Sequence, residues 1–434
     1  MMISSIVWVV VFIGVLITFH EFGHLIIAKL THIPVEVFSV GFGPVILKKK
    51  FGETEYRLSI VPLGGFIRMT GEDERAGPPA AEPVAPPPGT QGYTDKPLWV
   101  KASVIAAGPV SNLLLGFVML VVMYLAFGIK YVAPVVEPET GSSAVSAGIE
   151  PGDLVLTAAG ETIPNLERFD DIIAARPGQT IELALRRQGR RIVVNYTVPR
   201  DTADLRPVLS PIVEKVRRDS PASRAGIKPG DLITSIAGRA IHRWEDFVDE
   251  VAQNGGKKIA ISWTRNGQVF NDSITPVAER DQMTEQRIGQ VGIWVHLPKK
   301  NLPVHVAIWE ALKRTGYVVV QTYVVLYKVI TRQISTKAIG GPIMVAKIAY
   351  EGANWGMEYF LALWALLSVN LFVVNMIPIP VLDGGRILLD VIAGIRRRKL
   401  SDRELSWAGN IGWILIGGLV LLTIFNDVLR LIRK

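Results

Sequence analysis

His20-Glu21-Phe22-Gly23-His24 brings together the residue types of a metal-dependent hydrolase at the spacing that chemistry needs. Residues four apart on a helix lie one turn apart on the same face, so two neutral imidazoles can grip one Zn²⁺. Glu21, between them, can act as general base toward water at that metal. The chain has 6 histidines in 434 residues, which makes a chance pairing at this spacing rare. The motif also lies in an apolar run, about residues 3–30, long enough to cross a bilayer. Histidines and a carboxylate are costly in hydrocarbon and are kept there for function. The expected chemistry is cleavage of peptide bonds within or beside a membrane.

A catalytic zinc needs a third protein ligand and one open position. With 0 cysteines in the chain, that ligand must be His or carboxylate, and disulfides are excluded. Asn375-Met376-Ile377-Pro378-Ile379-Pro380-Val381-Leu382-Asp383-Gly384-Gly385 ends another apolar run. Its prolines break the helix and its glycines allow close backbone approach. Asp383 is therefore placed at membrane depth in irregular backbone, which is tolerated only where it lines a cavity or meets protein. Asp383 is the candidate third ligand, against the alternative of a carboxylate at a helix exit. Asn375 and Asn370, in the same apolar run, are candidates to bind the substrate carbonyl or oxyanion, with Asn375 preferred as nearer the break.

The elements that must position these residues follow from composition. Hydrophobic residues make up 49% of the chain, and four segments qualify as transmembrane helices: about 3–28, 103–128, 357–378 and 408–429. The first is not read as a cleaved signal peptide, because it lacks a basic leader and a small-residue cleavage site. The net charge of +8 is clustered, which favours a membrane surface and no nucleic acid. Basic residues crowd the loops after the first span (Lys48, Lys49, Lys50, Arg57, Arg68) and the third (Arg386, Arg396, Arg397, Arg398, Lys399, Arg403). Both loops are expected on the cytoplasmic side, with residues 130–356 and both termini opposite. Arg430, Arg433 and Lys434 argue mildly the other way.

The fold class expected is a polytopic α-helical membrane protein with four transmembrane helices, a membrane-associated β-hairpin and two α+β PDZ-like domains. The first span (1–30) leads into the hairpin region (31–70), which turns at Phe51-Gly52-Glu53-Thr54 and alternates polar and apolar residues at Tyr56-Arg57-Leu58-Ser59-Ile60. An exposed sheet edge there could hold a substrate as a strand, because a helical substrate hides its peptide bonds. A Pro-rich linker (71–97) precedes the second span (98–129), which holds Gly108-Pro109 and Asn112. Asn112 is read either as helix–helix glue or as a residue shaping the site. Residues 130–208 and 209–300 repeat at an offset of 78, pairing Gly148-Ile149 with Gly226-Ile227, Asp153 with Asp231, Phe169 with Phe247 and Arg187 with Arg265. The shared Ala-Gly-Ile-x-Pro-Gly-Asp pattern resembles PDZ domains. Neither copy shows a catalytic constellation, and His242 and His296 are read as ordinary histidines. Residues 301–356 carry Trp309, Tyr317, Tyr323 and Tyr327 beside Lys313, Arg314 and Lys328, and read as interfacial amphipathic helices broken at Gly340-Gly341-Pro342. The third span (357–383), a basic loop (384–406) and the fourth span with its tail (407–434) complete the chain.

Taken together, His20 to His24, Gly41-Phe42-Gly43-Pro44, Gly108-Pro109 with Asn112, the tandem pair and Asn375 through Gly384 resemble the RseP-type site-2 proteases over essentially the whole chain. The resemblance implies zinc intramembrane proteolysis with His20, His24 and Asp383 as ligands and Glu21 as base. Gly43, in its matching motif, is a candidate substrate-binding position. It also implies residence in the inner (cytoplasmic) membrane among lipid, with the PDZ domains periplasmic. Expected substrates are single-span proteins already trimmed by another protease, such as an anti-sigma factor, and remnant signal peptides. Arg386 departs from the family, which often carries His or Lys there, and the Pro-rich insert at 78–88 has no counterpart to carry over. The rival readings are a non-catalytic membrane-anchored PDZ scaffold, which would need no intramembrane charges, and a transporter, for which an inverted repeat is missing.

Overall fold

A computed structural model describes residues 2–71, 91–200, 204–280, 287–334, 340–341, 343–345, 348 and 356–432. The chain divides into two compact units, Met1–Phe127 with Leu302–Lys434, and Gly128–Asn301.

The first unit is helical around one sheet. Helix α1 (Met2–Leu30) carries the histidine pair. It closes in a Schellman arrangement: His32 takes a φ of 56°, and the Ile33 and His32 N–H groups bond the carbonyls of Ala28 and Lys29. Strands β1 (Val35–Phe51) and β2 (Thr54–Met69) follow, joined by the expected turn. The sheet is more than a hairpin. Val37 to Val40 pair on one side with Arg68 to Gly65 and on the other with Glu55 to Leu58, and Glu55 to Leu58 in turn pair with Lys50 to Leu47. Four segments therefore lie side by side, with 65–69 and 47–50 outermost. The far half of β1 exposes Val45, Ile46, Leu47 and Phe51. Phe42 lies across Gly64, where a Cβ would meet its ring at 1.9 Å.

Of the linker expected at 71–97, residues 72–90 lie outside the described residues. Helix α2 (Leu98–Phe127) contains Pro109, and helix α3 (Val304–Ile330) runs unbroken for 27 residues. The several interfacial helices expected over 301–356 are thus, in their described first half, one long helix. Its small residues Ala307, Ala311 and Thr315, with Val318, are buried, while Trp309, Tyr317, Tyr323 and Tyr327 point outward. Helices α4 (Met357–Asn375), α5 (Asp383–Ile395) and α6 (Asp402–Ile432) complete the unit. Three helices among the described residues are long and apolar enough to cross a membrane: α2, α4 and α6 over Asp402–Leu429. The buried Asp427 of α6 accepts the backbone N–H groups of Gly341, Ile343 and Met344. That satisfies a carboxylate which apolar surroundings would otherwise penalise.

The second unit holds the sequence repeat as structural repeat. In the first copy, strands Asp153–Ala158, Thr180–Arg187 and Arg190–Thr197 pair in sequence beside the helix Leu166–Ala174. In the second, Leu232–Ile236, Ile259–Arg265 and Gln268–Ile274 do so beside Trp244–Gln253. Each copy has its own apolar core, centred on Phe169, Leu183 and Tyr196 and on Phe247, Ile261 and Trp263.

The same ion pair stands in both copies. Arg187 grips Asp153 and donates to Gly148 O, and Arg265 grips Asp231 and donates to Gly226 O. Both aspartates are fully buried. Burial alone would push the Asp153 carboxyl up. The Arg187 hydrogen bonds, the Glu150 N–H and the Arg187 charge outweigh it and hold the group below the usual carboxylate range. The folded state therefore takes up this proton less readily than the unfolded chain. The contribution is present above about pH 4 and is lost as pH falls through the lower folded value. Arg187→Leu leaves a buried unpaired carboxylate and is expected to cost the domain about 3 kcal/mol at neutral pH. The cost should shrink on acidification, because protonation then relieves the stranded charge. Thermal unfolding of the full chain at pH 7 and pH 5 measures the sign.

Candidate metal centre

The two histidines enter from α1, and the fold fixes what each ring does. His24 is 5% exposed, and its Nδ1 lies 2.8 Å from the carbonyl of Val104 in α2. A carbonyl can only accept, so Nδ1 carries the proton and Nε2 keeps its lone pair for a metal. His20 is 8% exposed, with its Nδ1 3.1 Å from the side-chain amide of Asn112 in α2 and 3.5 Å from that of Asn375 in α4. As placed, Asn112 turns Nδ2 to the ring, and its buried Oδ1 has no partner. Turning the amide over gives Nδ1–H···Oδ1, satisfies the orphaned oxygen and frees His20 Nε2 as a ligand.

Close backbone approach makes this possible. A Cβ at Gly23 would lie 2.2 Å from Ala107 O, and one at Gly108 would lie 2.2 Å from His24 Nε2 itself. The helices cross at these glycines, and the His24 ring fills the space a side chain at 108 would take. Gly108→Ala is expected to displace the ring and weaken zinc binding roughly 10- to 100-fold, the range for loss of an orienting contact. Chelator competition on the purified protein measures it. Gly108-Pro109 inside an apolar run was the available signal for this crossing.

Asp383 is the first residue of α5, where a carboxylate is favoured by the helix N-terminus. The chain between α4 and α5 folds tightly over it. A Cβ at Gly384 would lie 2.4 Å from Met376 O, and one at Gly385 2.0 Å from Ile379 O. This delivers Asp383 Oδ2 to 3.0 Å from His20 Nε2 and Oδ1 to 3.8 Å from His24 Nε2, with the two Nε2 atoms 3.2 Å apart. In a tetrahedral zinc site with bonds of about 2.0–2.1 Å, ligand atoms stand about 3.4 Å apart. Each histidine faces a different oxygen of the Asp383 carboxylate, and these contacts and the Nε2–Nε2 spacing lie on either side of that value. Two nitrogens and one carboxylate oxygen make the three-ligand donor set of a catalytic rather than a structural zinc, whose fourth position takes water. Among the described residues no other group of three such side chains converges.

The remaining candidates separate. The sheet brings Gly65 of β2 against Glu21, where a Cβ would lie 3.3 Å from Glu21 Cγ and 2.7 Å from Ser39 O. Asn375 reaches His20, as above. Asn370 is not brought there: Thr322 of α3 donates to its Oδ1 at 2.8 Å. Five residues along a helix turn it about 140° away from Asn375. Gly43 lies in the exposed part of β1 with a φ of 83°, and a Cβ there would meet only Val61 Cγ2.

The model of peptidase family M50 matches residues 8–419. The chain belongs to peptidase family M50. This M50 peptidase is 34% identical to the regulator of sigma-E protease RseP of Escherichia coli K12, over 97% of this chain and 98% of that one. It is 32% identical to the regulator of sigma E protease of Haemophilus influenzae, over 97% and 98%. A Vibrio cholerae protein with a provisional zinc-metalloprotease name matches at 28%, over 97% and 98%. Among solved structures, the PDZ domain of an SdrC-like protein from Listeria monocytogenes matches 19% of this chain and 84% of that one, at 26% identity and a TM-score of 0.17. The M50 peptidase is a zinc-dependent metalloendopeptidase of the site-2 type that acts on membrane proteins, itself membrane-embedded through apolar helices.

Proposed function

We propose that His20, His24 and Asp383 hold the zinc of this peptidase and that Glu21 is its general base. The observation that carries this is the convergence of three side chains from α1 and α5, one ligand atom from each lying within 4.8 Å of the others. Zinc there supplies a Lewis acid for the scissile carbonyl and lowers the pKa of water. Glu21 takes the proton of the attacking water and passes it to the leaving amine. The Asn375 amide, beside His20, hydrogen-bonds the substrate backbone at the scissile bond. The substrate lies extended along the outer side of the 65–69 segment, with which no further strand pairs among the described residues. Main-chain bonds to that edge replace those lost when a substrate helix unwinds. Gly65 leaves room for the substrate backbone beside Glu21.

The substrates we infer are single-span proteins first trimmed by another protease, of the anti-sigma-factor type that the names of the relatives suggest, and remnant signal peptides. α1 is the fourth transmembrane helix in this reading. The basic loops face the cytoplasm, and the tandem PDZ-like domains lie across the membrane and select by size. Two single-span substrates, one with a folded extramembrane domain and one trimmed, test this on the full chain in detergent. Cleavage of the trimmed form alone is expected. Equal cleavage of both would remove the size filter, and no cleavage by a folded, zinc-loaded chain would restore the scaffold.

A further inference from the structure

Arg386, marked by the sequence only as a departure from the family, sits on the face of α5 that also carries Asp383 and Asp390. Asp383, Arg386 and Asp390 are spaced three and four residues apart, so all three lie along one side of the helix. That side meets Tyr93. The Tyr93 hydroxyl donates to Asp390 Oδ2 at 2.9 Å, and the Arg386 guanidinium stands 4.9 Å from the centre of its ring. Lys101 of α2 stands 5.8 Å from the same centre. Tyr93 is 4% exposed and belongs to the apolar cluster that includes Leu25, Met69 and Val104. Leu25 follows the ligand His24, and Val104 supplies the carbonyl that orients it. The backbone of Tyr93 is itself tied to the end of β2: its N–H bonds Thr70 O at 2.8 Å, and Thr94 Oγ1 bonds Gly71 O at 2.6 Å.

We propose that Tyr93 is a positioning residue, which sets the rotation of α5 and thereby the Asp383 carboxylate against the histidines and the sheet. The physical need is specific. Pro378 and Pro380 interrupt the chain ahead of α5, so α4 does not carry its helical register into α5. A rotation of α5 about its axis swings Asp383 and Asp390 together, and the phenol–carboxylate bond two turns along resists that swing. The ring, held by two cations and a buried core, makes the anchor stiff. The same residue fastens the end of the 65–69 segment, so metal ligand and substrate edge share one fixed point. The inference rests on Asp383 being a ligand.

Full-length protein in detergent tests it with Tyr93→Phe, Asp390→Leu, their double variant and Asp390→Asn. Phenylalanine keeps the ring and the core, and asparagine keeps an oxygen that accepts from the phenol. Zinc affinity by chelator competition, the visible spectrum of the Co²⁺-loaded protein, kcat and KM are read together. Tyr93→Phe and Asp390→Leu should each weaken zinc binding and lower kcat roughly 3- to 10-fold, less than a direct partner of a ligand. KM should hold, the cobalt spectrum should shift, the double variant should be no worse than either single one, and Asp390→Asn should behave as the native chain. Unchanged zinc affinity and cobalt spectrum in Tyr93→Phe, or additive losses in the double variant, would reduce Tyr93 to a core residue. Asp383→Ala with zinc fully retained would instead sink the ligand assignment beneath it.

Discussion

Glu21→Gln is expected to reduce cleavage by roughly 1,000-fold or more while leaving zinc bound, in the range that general acid–base catalysis supplies. Glutamine keeps the length and shape of the side chain, so the close packing of Gly65 against Cγ survives. The amide cannot accept the proton of the attacking water, and no second carboxylate joins the convergent group among the described residues. The measurement is turnover of a trimmed single-span substrate beside metal analysis of the same preparation. Full cleavage at native zinc content would move the base elsewhere. Loss of zinc together with activity would mean that Glu21 holds the centre together rather than moving a proton.

Asp383→Ala is expected to lose both. Two imidazoles remain, and the affinity should fall roughly 100-fold or more, beyond the loss typical of outer partners. The helix-terminal contribution of the carboxylate, about 0.3–1 kcal/mol, is small beside this and does not by itself unfold α5. Zinc binds the folded chain, so chelation should lower the melting temperature of the native protein and leave that of the variant unchanged. Variant protein that keeps zinc and activity would return Asp383 to the status of a helix-exit residue.

The chemistry was legible because it is local or punctuated. His20 and His24 lie one helical turn apart, Asp383 is flagged by the prolines before it and the glycines after it, and the repeat shows itself by a constant offset. The turn at Gly52 followed from an equally short signal, whereas α4 ends at Asn375, short of the span expected to about 378, because the chain leaves the helix ahead of Pro378. What escaped depends on partners far away in the chain. The pairing of Val37 to Val40 with two segments at once cannot be read from alternation, which reports faces and not neighbours. The reach of Asn370 to Thr322 and not to the metal depends on where α3 packs. Gly108 reads as a helix weakness until His24 is seen in the space it leaves. Tyr93 reads as one more residue at the end of a Pro-rich stretch. Only the fold brings it to Asp390, two turns beyond Asp383 and hundreds of residues on.

The paired arginines Arg187 and Arg265 make the two extramembrane repeats separately addressable. Each closes its own domain around its own aspartate, and neither touches the other's. A single substitution can therefore loosen one repeat while the length of the chain and the domain beside it stay the same. That gives a graded form of domain removal: first copy, second copy or both, with the first copy also tunable by acidity because its stranded Asp153 carboxylate can be discharged. A dependence of substrate choice on one copy alone would show that duplication has been followed by a division of labour.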